Sequence, residues 1–346
     1  MLSMSLCYQS QTLLGCVSIL NPNNLNPRYL CKSRSLKVLS TPPSSVLLNA
    51  DESGKFSNKF DSSKNHVDSG KNDSFSVSVT PFGYQGTTVG IIGGMSVDAT
   101  LNFLRKLVEL SSQDEQKPIP FLLCSDPILN KELLSYERSL ESFKLDSTQI
   151  VESLRNKRVF LENSGARCIV MPCNVSHSWY EQVSKGCSVP FLHMADCVAK
   201  ELKEAKLKPL EAGSPLRIGV LATNATLAAG FYKEKLQNEL FSTLSANIAM
   251  LIKGFEVILP DRATMEHTVI PAIEALSRKD MEGACNLLRI SLQVLLVRAV
   301  NFVILASDEM RDVLPHDDPL LKKCIDPMDA LARSTIKWVR SSGDNT

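Results

Sequence analysis

The chain has 346 residues, of which 44% are hydrophobic and 22% are charged, a composition that suits a globular protein of one large or two modest domains. The formal net charge is +1, so no basic field favours nucleic acid as a partner. The cysteines form no C-x-x-C pair, which argues against a metal site and, with an ample core, against a disulfide scaffold. The stretch 287–305 is apolar but contains Arg289 and Arg298, so it predicts no membrane span.

Residues 1–50 differ from the rest because they contain no Asp or Glu, many serines and a few basic residues. Such a segment is typical of an organellar transit peptide, and we expect a chloroplast first and a mitochondrion second. A plain disordered tail is the alternative. Residues 51–86 are rich in Ser, Asn, Asp, Lys and Gly, with too few apolar side chains to order themselves. We therefore predict a disordered linker there.

In the first half of the folded part, short apolar runs alternate with segments of helical periodicity. The apolar runs predict strands at 88–96, 120–126, 166–173 and 189–196. The periodic segments predict helices at 102–110, 147–165 and 199–207, and Gly165 is expected to cap the second of these helices.

The second half begins after a turn-rich break at 208–215 and repeats the same order of elements. Residues 215–240 predict a strand, a turn of small residues and a helix. Further strands are predicted at 255–261 and 301–309, and a further helix at 282–300. A last helix is predicted at 326–339, with Asp326 as its N-cap and Pro327 at its first position.

The two halves resemble each other in sequence. VGIIGG followed by AT corresponds to IGVLAT followed by AT, and CIVMPCN (168–174) corresponds to FVILASD (302–308). This repeated order predicts an α/β fold of two pseudo-symmetric Rossmann-like lobes, each a parallel sheet flanked by helices. Lobe one is assigned to 87–207 plus 325–341, and lobe two to 213–312. Because ligands of parallel sheets bind beyond the carboxyl ends of the strands, we expect an active-site cleft between the lobes.

Cys173 ends a predicted strand and is followed by the polar stretch NVSH. A helix beginning there would lower the thiol pKa through its dipole and its free N–H groups, whereas a buried structural thiol is inert. His177 could pair with Cys173 as a base, or hydrogen-bond the start of its own helix. Ser307 is the matched residue of the second half. Two proton-bearing groups on opposite sides of a cleft are what two-base proton transfer at one carbon requires.

GIIGGMS (90–96) does not match the dinucleotide motif G-x-G-x-x-G, and no Walker lysine follows it. The order VGIIGGMSVDAT, Cys173-Asn174-Val175, PFLHMAD and IGVLAT instead resembles the aspartate/glutamate racemase superfamily, and in particular its aspartate-racemase branch. The resemblance covers most of residues 88–340. With its N-terminal segment, the chain looks like a plant-like organellar form of that branch.

This resemblance implies inversion of an amino-acid α-carbon without metal, pyridoxal phosphate or another cofactor. It implies that Cys173 and Ser307 are the two acid/base groups. It also implies a set of substrate-binding positions at the strand ends, namely Met95, Ser96, Asn174, His177, Thr223, Thr226, Asp308 and Glu309. The expected partner is a small amino-acid or carboxylic-acid substrate, and because members commonly form dimers, a homodimer is expected.

The chain departs from the family in its second motif, where Gly-Cys-Thr-Glu is replaced by Ala306-Ser307-Asp308-Glu309, and Val175 replaces a threonine. Serine is a weaker base than a thiolate, and Asp308 adds a negative charge where the family binds a carboxylate. We therefore expect a weakened racemase or epimerase of a small, acidic amino acid, aspartate or glutamate. The alternatives are a one-cysteine isomerase, decarboxylase or hydrolase of a small carboxylic acid, and a non-catalytic binder that kept the cleft.

Overall fold

Two parallel β-sheets run through the described part of the chain. This computed structural model describes residues 87–112, 118–138, 146–205, 207, 214–238, 255–308 and 310–343. Its strands are β1 (Val89–Ile92), β2 (Phe121–Cys124), β3 (Cys168–Val170), β4 (Leu216–Ala222), β5 (Phe255–Ile258), β6 (Phe302–Ala306) and β7 (Cys324–Ile325). The predicted transit peptide and linker, residues 1–86, and also Glu309, lie outside the described residues.

Three strands of each sheet are arranged in the same order. The first is ordered β2-β1-β3 and the second β5-β4-β6-β7, with every pair parallel. A single parallel bridge between Ile169 and Phe191 stands beside β3, in the place that β7 takes beside β6. The predicted fold class, parallel sheets flanked by helices, is confirmed.

Helices connect the strands and cover the sheets. They are α1 (Val97–Ser112), α2 (Pro127–Arg138), α3 (Thr148–Asn163), α4 (Tyr180–Ser184), α5 (Met194–Glu204), α6 (Asn224–Ala229), α7 (Phe231–Asn238), α8 (Ile270–Ser277), α9 (Met281–Val297) and α10 (Pro327–Gly343). Shorter helical turns lie at Val175–Trp179, Arg262–Thr264, Met265–Val269, Arg311–Val313 and Pro319–Lys323. α10 packs against α1 and α5, and α8 packs against α9. No helix among the described residues is long and apolar enough to cross a membrane.

The strand predicted at 189–196 is wrong. Only Phe191 bridges the sheet, and α5 already begins at Met194 because the His193 side chain accepts a hydrogen bond from the N–H of Ala195 and caps the helix. A short apolar run gives no clear period, so the pattern did not separate a strand from a helix start. The sequence pattern also missed α2, α8 and the two-residue strand β7.

The largest apolar cluster joins the two sheets. It contains side chains from β1, β3, β4 and β6 and from the helices α1, α5, α7 and α10. The strands β1 and β3 are buried along their whole length, as expected for parallel strands that are covered on both faces. Burial on this scale removes apolar surface from water and is the main force that holds the sheets together.

The repeat seen in the sequence is also present in the packing. β1 contains Gly90, where an added Cβ would meet side chains of Leu161, Ala166 and Ile169. β4 contains Gly219, whose neighbours are Leu295, Val300 and Val303. Each member of the second set follows its counterpart by 134 residues, the separation that also relates Asn174 to Asp308. The chain turn after α3 and α9 corresponds too, since Gly165 and Ala299 both have positive φ.

We predict that Gly90→Ala costs more stability than Gly219→Ala. The new Cβ at position 90 would lie 2.7 Å from Ile169 Cδ1 and 2.8 Å from Ala166 Cβ, and the second of these atoms cannot rotate away. At position 219 the nearest atom is Leu295 Cδ1 at 3.0 Å, the end of a flexible side chain. Overpacking costs about 1–3 kcal/mol, so we expect a loss in that range for Gly90→Ala. Urea unfolding of both variants measures it, and an equal or larger loss for Gly219→Ala would contradict the packing.

Candidate active site

The candidate site forms where the carboxyl ends of four strands meet. Met95 follows β1, Cys173 follows β3, Thr223 follows β4 and Ser307 follows β6. Ala225, in α6 of the second repeat, belongs to the same apolar cluster as Cys173. Parallel strands place such residues at one edge of each sheet, so this location agrees with the general position of ligand sites in α/β folds.

A glycine turn encloses Cys173. An added Cβ on Gly94 would lie 2.5 Å from Cys173 Cβ, so only glycine allows this close approach. The next residue, Met95, donates its backbone N–H to Cys173 Sγ over 3.5 Å. The glycines of the GIIGGMS motif therefore allow a backbone N–H to reach the sulfur. Neither a nucleotide-binding motif nor a plain turn requires such a contact.

The Cys173 side chain is completely buried, with 0% of its surface exposed. Burial raises the pKa of the thiol well above its ordinary value, and the nearby Asp308 carboxylate raises it further. The Met95 N–H, which donates to Cys173 Sγ, acts in the opposite direction. The expectation that a helix start lowers the thiol pKa is wrong for this structure, because the loss of water outweighs the short 3₁₀ turn Val175–Trp179 that follows.

Asn174 and Asp308 join the two repeats. The backbone N–H of Asn174 donates to Asp308 Oδ1 over 2.9 Å, and the Asn174 side-chain Nδ2 donates to the same oxygen over 2.7 Å. Both residues are buried, with 2% and 8% of their surface exposed. The structure therefore brings together two of the residues that the sequence analysis assigned to substrate binding, and it bonds them to each other.

Tyr232 completes this network, and the sequence analysis missed it. Its hydroxyl donates to Asn174 Oδ1 over 2.6 Å. Burial, followed by the charge of Asp308, raises the pKa of Tyr232 well above its ordinary value, so the phenol keeps its proton. Tyr232 is the second residue of α7, a helix that begins directly after the left-handed Gly230. No motif marks it in the sequence, because its role depends on a contact between distant segments.

Of the remaining predicted residues that follow β1 and β4, Ser96 and Thr223 accept hydrogen bonds at the starts of helices. The Thr223 hydroxyl donates to Thr226 Oγ1 over 3.2 Å, and it also accepts the Thr226 N–H at the start of α6. Ser96 Oγ accepts the N–H of Ala99 at the start of α1. Thr223 and Thr226 are buried, while Met95 and Ser96 are only partly covered. These caps fix the first turns of two helices whose N-termini face the site.

Ser307 lies directly after β6 and is half-buried. It holds the place in the second repeat that Cys173 holds in the first, as the common pairing register of β3 with β1 and of β6 with β4 shows. Val175 is buried in the apolar cluster around Cys173 and presents no hydroxyl there. The predicted residue Glu309 lies outside the described residues.

His177 does not hydrogen-bond Cys173. Its Nε2 donates to the carbonyl oxygen of Met171 over 3.0 Å, and its ring lies against His193 with 4.6 Å between ring centroids. Burial lowers the pKa of His177 to about 4. Burial also lowers the pKa of His193 to about 2, with a further contribution from His177. Both imidazoles are neutral at physiological pH. His177 bonds neither to Cys173 nor to the start of its own turn, because its partner Met171 precedes Cys173 and lies outside Val175–Trp179.

Among the described residues, no group of three or more His, Cys, Asp or Glu side chains is arranged to hold a metal ion. The groups around Cys173 and Ser307 are instead a thiol, hydroxyls, one carboxylate, one amide and backbone N–H donors. This set suits proton transfer and the binding of a small polar molecule.

Several known proteins are similar to this chain. Residues 92–335 match the protein family described as Asp/Glu/Hydantoin racemase. The broad specificity amino-acid racemase RacX of Bacillus subtilis (strain 168) is 22% identical over 255 residues, which cover 72% of this chain and 96% of RacX. The match to the family includes β4 and β6 entirely and the site residues that follow β1, β3, β4 and β6.

Solved structures share the fold. The aspartate racemase of Picrophilus torridus is 26% identical and has a TM-score of 0.55, covering 73% of this chain and 94% of its own. An aspartate racemase homologue from Pyrococcus horikoshii OT3 has the same TM-score, 0.55, at 21% identity, covering 73% of this chain and 99% of its own.

We predict that the buried histidine pair makes the protein less stable as the pH is lowered. Between pH 6.5 and about 4 the unfolded chain binds a proton on each histidine while the folded chain does not, so acid favours unfolding. Two such groups give a slope of about 2.7 kcal/mol per pH unit. His193→Asn keeps a cap acceptor for Ala195 and removes one titrating group, so it should lower the slope by about 1.4 kcal/mol per pH unit.

Urea unfolding at several pH values measures this slope. The exposed His316 provides the matched control, and His316→Asn should leave the slope unchanged. If His193→Asn has the slope of the unaltered protein, the buried pair is not the source of the acid sensitivity.

Proposed function

This chain belongs to the Asp/Glu/Hydantoin racemase family, and from that premise we propose that it inverts the α-carbon of a small amino acid without a cofactor. The observation that carries the proposal is the equivalent placement of Cys173 and Ser307 after β3 and β6. Inversion needs one group that removes the α-proton and another that delivers a proton to the opposite face. Two proton-bearing side chains related by the internal repeat supply such a pair.

The burial of Cys173 determines whether its thiol is protonated before the reaction begins. Because burial and Asp308 raise the pKa of this thiol, it rests as a protonated group and is ready to deliver a proton. To act as the base, it must form a thiolate, and the Met95 N–H at 3.5 Å stabilises that form. Ser307 is the second proton-bearing group and acts on the opposite face of the α-carbon. Its hydroxyl is a weak base, so inversion should be slow in both directions, because the two enantiomers have equal free energy and pass through the same transition states.

The substrate that we propose is an acidic amino acid, aspartate or glutamate. The similarity to the aspartate racemase of Picrophilus torridus supports aspartate, whereas the similarity to the broad specificity racemase RacX supports a wider range. Asn174 supplies two N–H donors of the kind that bind a carboxylate. We also propose the homodimer that the sequence resemblance implies.

A second candidate is a one-cysteine reaction, an isomerisation, decarboxylation or hydrolysis of a small carboxylic acid at Cys173. The serine at position 307 favours it, because a hydroxyl without an activating base contributes little to proton removal. A binder without catalysis is the third candidate, since a family fold can keep its cleft after the chemistry is lost.

We predict that the full chain exchanges the α-proton of aspartate with D2O and inverts its configuration, and that Cys173→Ala abolishes both. Loss of a general acid/base group costs about a hundredfold to ten-thousandfold in rate. Ser307→Cys should speed inversion, because a thiol is the stronger acid/base group. Proton NMR follows the exchange, and chiral chromatography follows the inversion.

Cys285→Ala is the matched control, because this thiol lies in α9 and packs in a separate apolar cluster. It should leave both rates unchanged. Exchange without inversion would favour the one-cysteine reaction. Binding without exchange for every acidic and neutral amino acid would contradict the racemase and favour the binder.

We also propose a plastid location, for which the composition of residues 1–50 is the support. A fusion of these residues to a fluorescent protein should accumulate in chloroplasts of leaf cells. Replacing Arg28 and Arg34 by Glu adds the acidic charge that transit peptides lack, so import should fall. Fluorescence microscopy measures both, and a diffuse or mitochondrial signal from the unaltered fusion would contradict the proposal.

A further inference from the structure

The strand ends of the candidate site already hold a carboxylate, and it belongs to the chain itself. Asp308 Oδ1 accepts the backbone N–H of Asn174 at 2.9 Å and the side-chain N–H of Asn174 at 2.7 Å. Hydrogen bonds to an ionised acceptor are about twice as strong as bonds between neutral groups. Two such donors that converge on one oxygen form a built carboxylate-binding pair, and in this structure Asp308 occupies it.

The orientation of the Asn174 amide is fixed and not incidental. Its Oδ1 accepts the Tyr232 hydroxyl at 2.6 Å, so its NH₂ group must point the other way, towards Asp308. Tyr232 is buried and therefore holds this orientation away from water. The pair of donors is thus prepared for a carboxylate whether or not Asp308 is the group that fills it.

The pair also lies beside the reacting positions. Asn174 follows Cys173, Asp308 follows Ser307, and the two residues correspond in the internal repeat with a separation of 134 residues. Asp308 is near enough to Cys173 for its charge to raise the pKa of the thiol. A substrate carboxylate at the same donors would meet a like charge in a buried setting, where repulsion is strong.

We infer that Asp308 is an internal competitor for the Asn174 donors, so that the carboxylate of an amino acid binds only by displacing the Asp308 side chain. The identity of that ligand rests on the proposed function, whereas the donor pair does not. Asp308 thereby sets the affinity of the site for carboxylates. An aspartate that merely tied the two repeats together would contribute to stability and leave this affinity unchanged.

The direct test is the binding of succinate, a dicarboxylate with no amino group, to the full chain by isothermal titration calorimetry. Asp308→Thr removes the competing carboxylate and should tighten succinate binding by at least about tenfold, because it removes a nearby like charge. Asp308→Asn keeps the shape and can still accept the two N–H groups, but as a neutral acceptor. It should therefore give a smaller gain, between the unaltered protein and Asp308→Thr.

Asp312 provides the matched control, because it lies four residues further along the chain. Its exposed carboxylate accepts a hydrogen bond from Asn102 Nδ2 at 3.0 Å. Asp312→Asn removes the same charge without touching Asn174, so succinate affinity should stay within about twofold. A general effect of net charge would instead appear in both the Asp308 and the Asp312 variants.

A second readout needs no ligand. Without the Asp308 charge, the pKa of the Cys173 thiol should fall, so the ultraviolet absorbance of its thiolate should appear at lower pH. Absorbance, taken as the difference from the same protein carrying Cys173→Ala, measures this in the unaltered protein, Asp308→Asn and Asp312→Asn. The shift is expected in the first variant and not in the second.

Two results would overturn the inference. The first is that both Asp308 variants fold with the circular dichroism of the unaltered protein and bind succinate no more tightly. The second is that Asp308→Asn binds aspartate as before and loses α-proton exchange, which would make Asp308 a reacting group. If the variants gain affinity and no protein exchanges the α-proton, the competitor stands and the racemase proposal fails. If the unaltered protein racemises and neither variant gains affinity, the competitor alone fails.

Discussion

The site depends on the close approach of a glycine in each central strand to the helix that leads into the neighbouring strand, which is α3 for Gly90 and α9 for Gly219. Gly90 and Gly219 have no Cβ, so the connections after α3 and α9 can pack directly on β1 and β4. That packing sets the register in which β3 and β6 lie beside them. Because the register is the same in both repeats, Cys173 and Ser307 follow equivalent strand ends, and Asn174 meets Asp308.

Several polar groups of the resting site bond to one another. Thr223 and Thr226 bond to each other, and Tyr232, Asn174 and Asp308 form a continuous chain of hydrogen bonds. Burying polar groups is costly unless they are paired, so these bonds make a closed arrangement around the thiol stable without a ligand. A ligand must then replace existing hydrogen bonds with its own, and its net gain is the difference between the two sets.

The sequence allowed the fold to be predicted well because the repeat and the buried strands leave clear patterns. VGIIGG and IGVLAT mark β1 and β4, and CIVMPCN and FVILASD mark β3 and β6. The strand predicted at 189–196 failed because a cap formed by His193 decides that segment, and a cap depends on three-dimensional geometry. The pKa of Cys173 and the role of Tyr232 were beyond sequence patterns for the same reason, since burial and contacts between the repeats determine them.

The competing carboxylate also couples binding to the state of the thiol. While Asp308 holds the Asn174 donors, its negative charge and the lack of water keep Cys173 protonated. The proposed substrate, an acidic amino acid, would bring two carboxylates and one positive α-ammonium group, and the ammonium is bonded to the reacting carbon. With the ammonium at that carbon and the Asp308 side chain displaced, the potential at the thiol would become less negative, which favours the thiolate. In the proposed reaction, a thiol controlled in this way would gain its basicity when an amino acid binds, and it would stay protonated against other electrophiles and oxidants in the empty site.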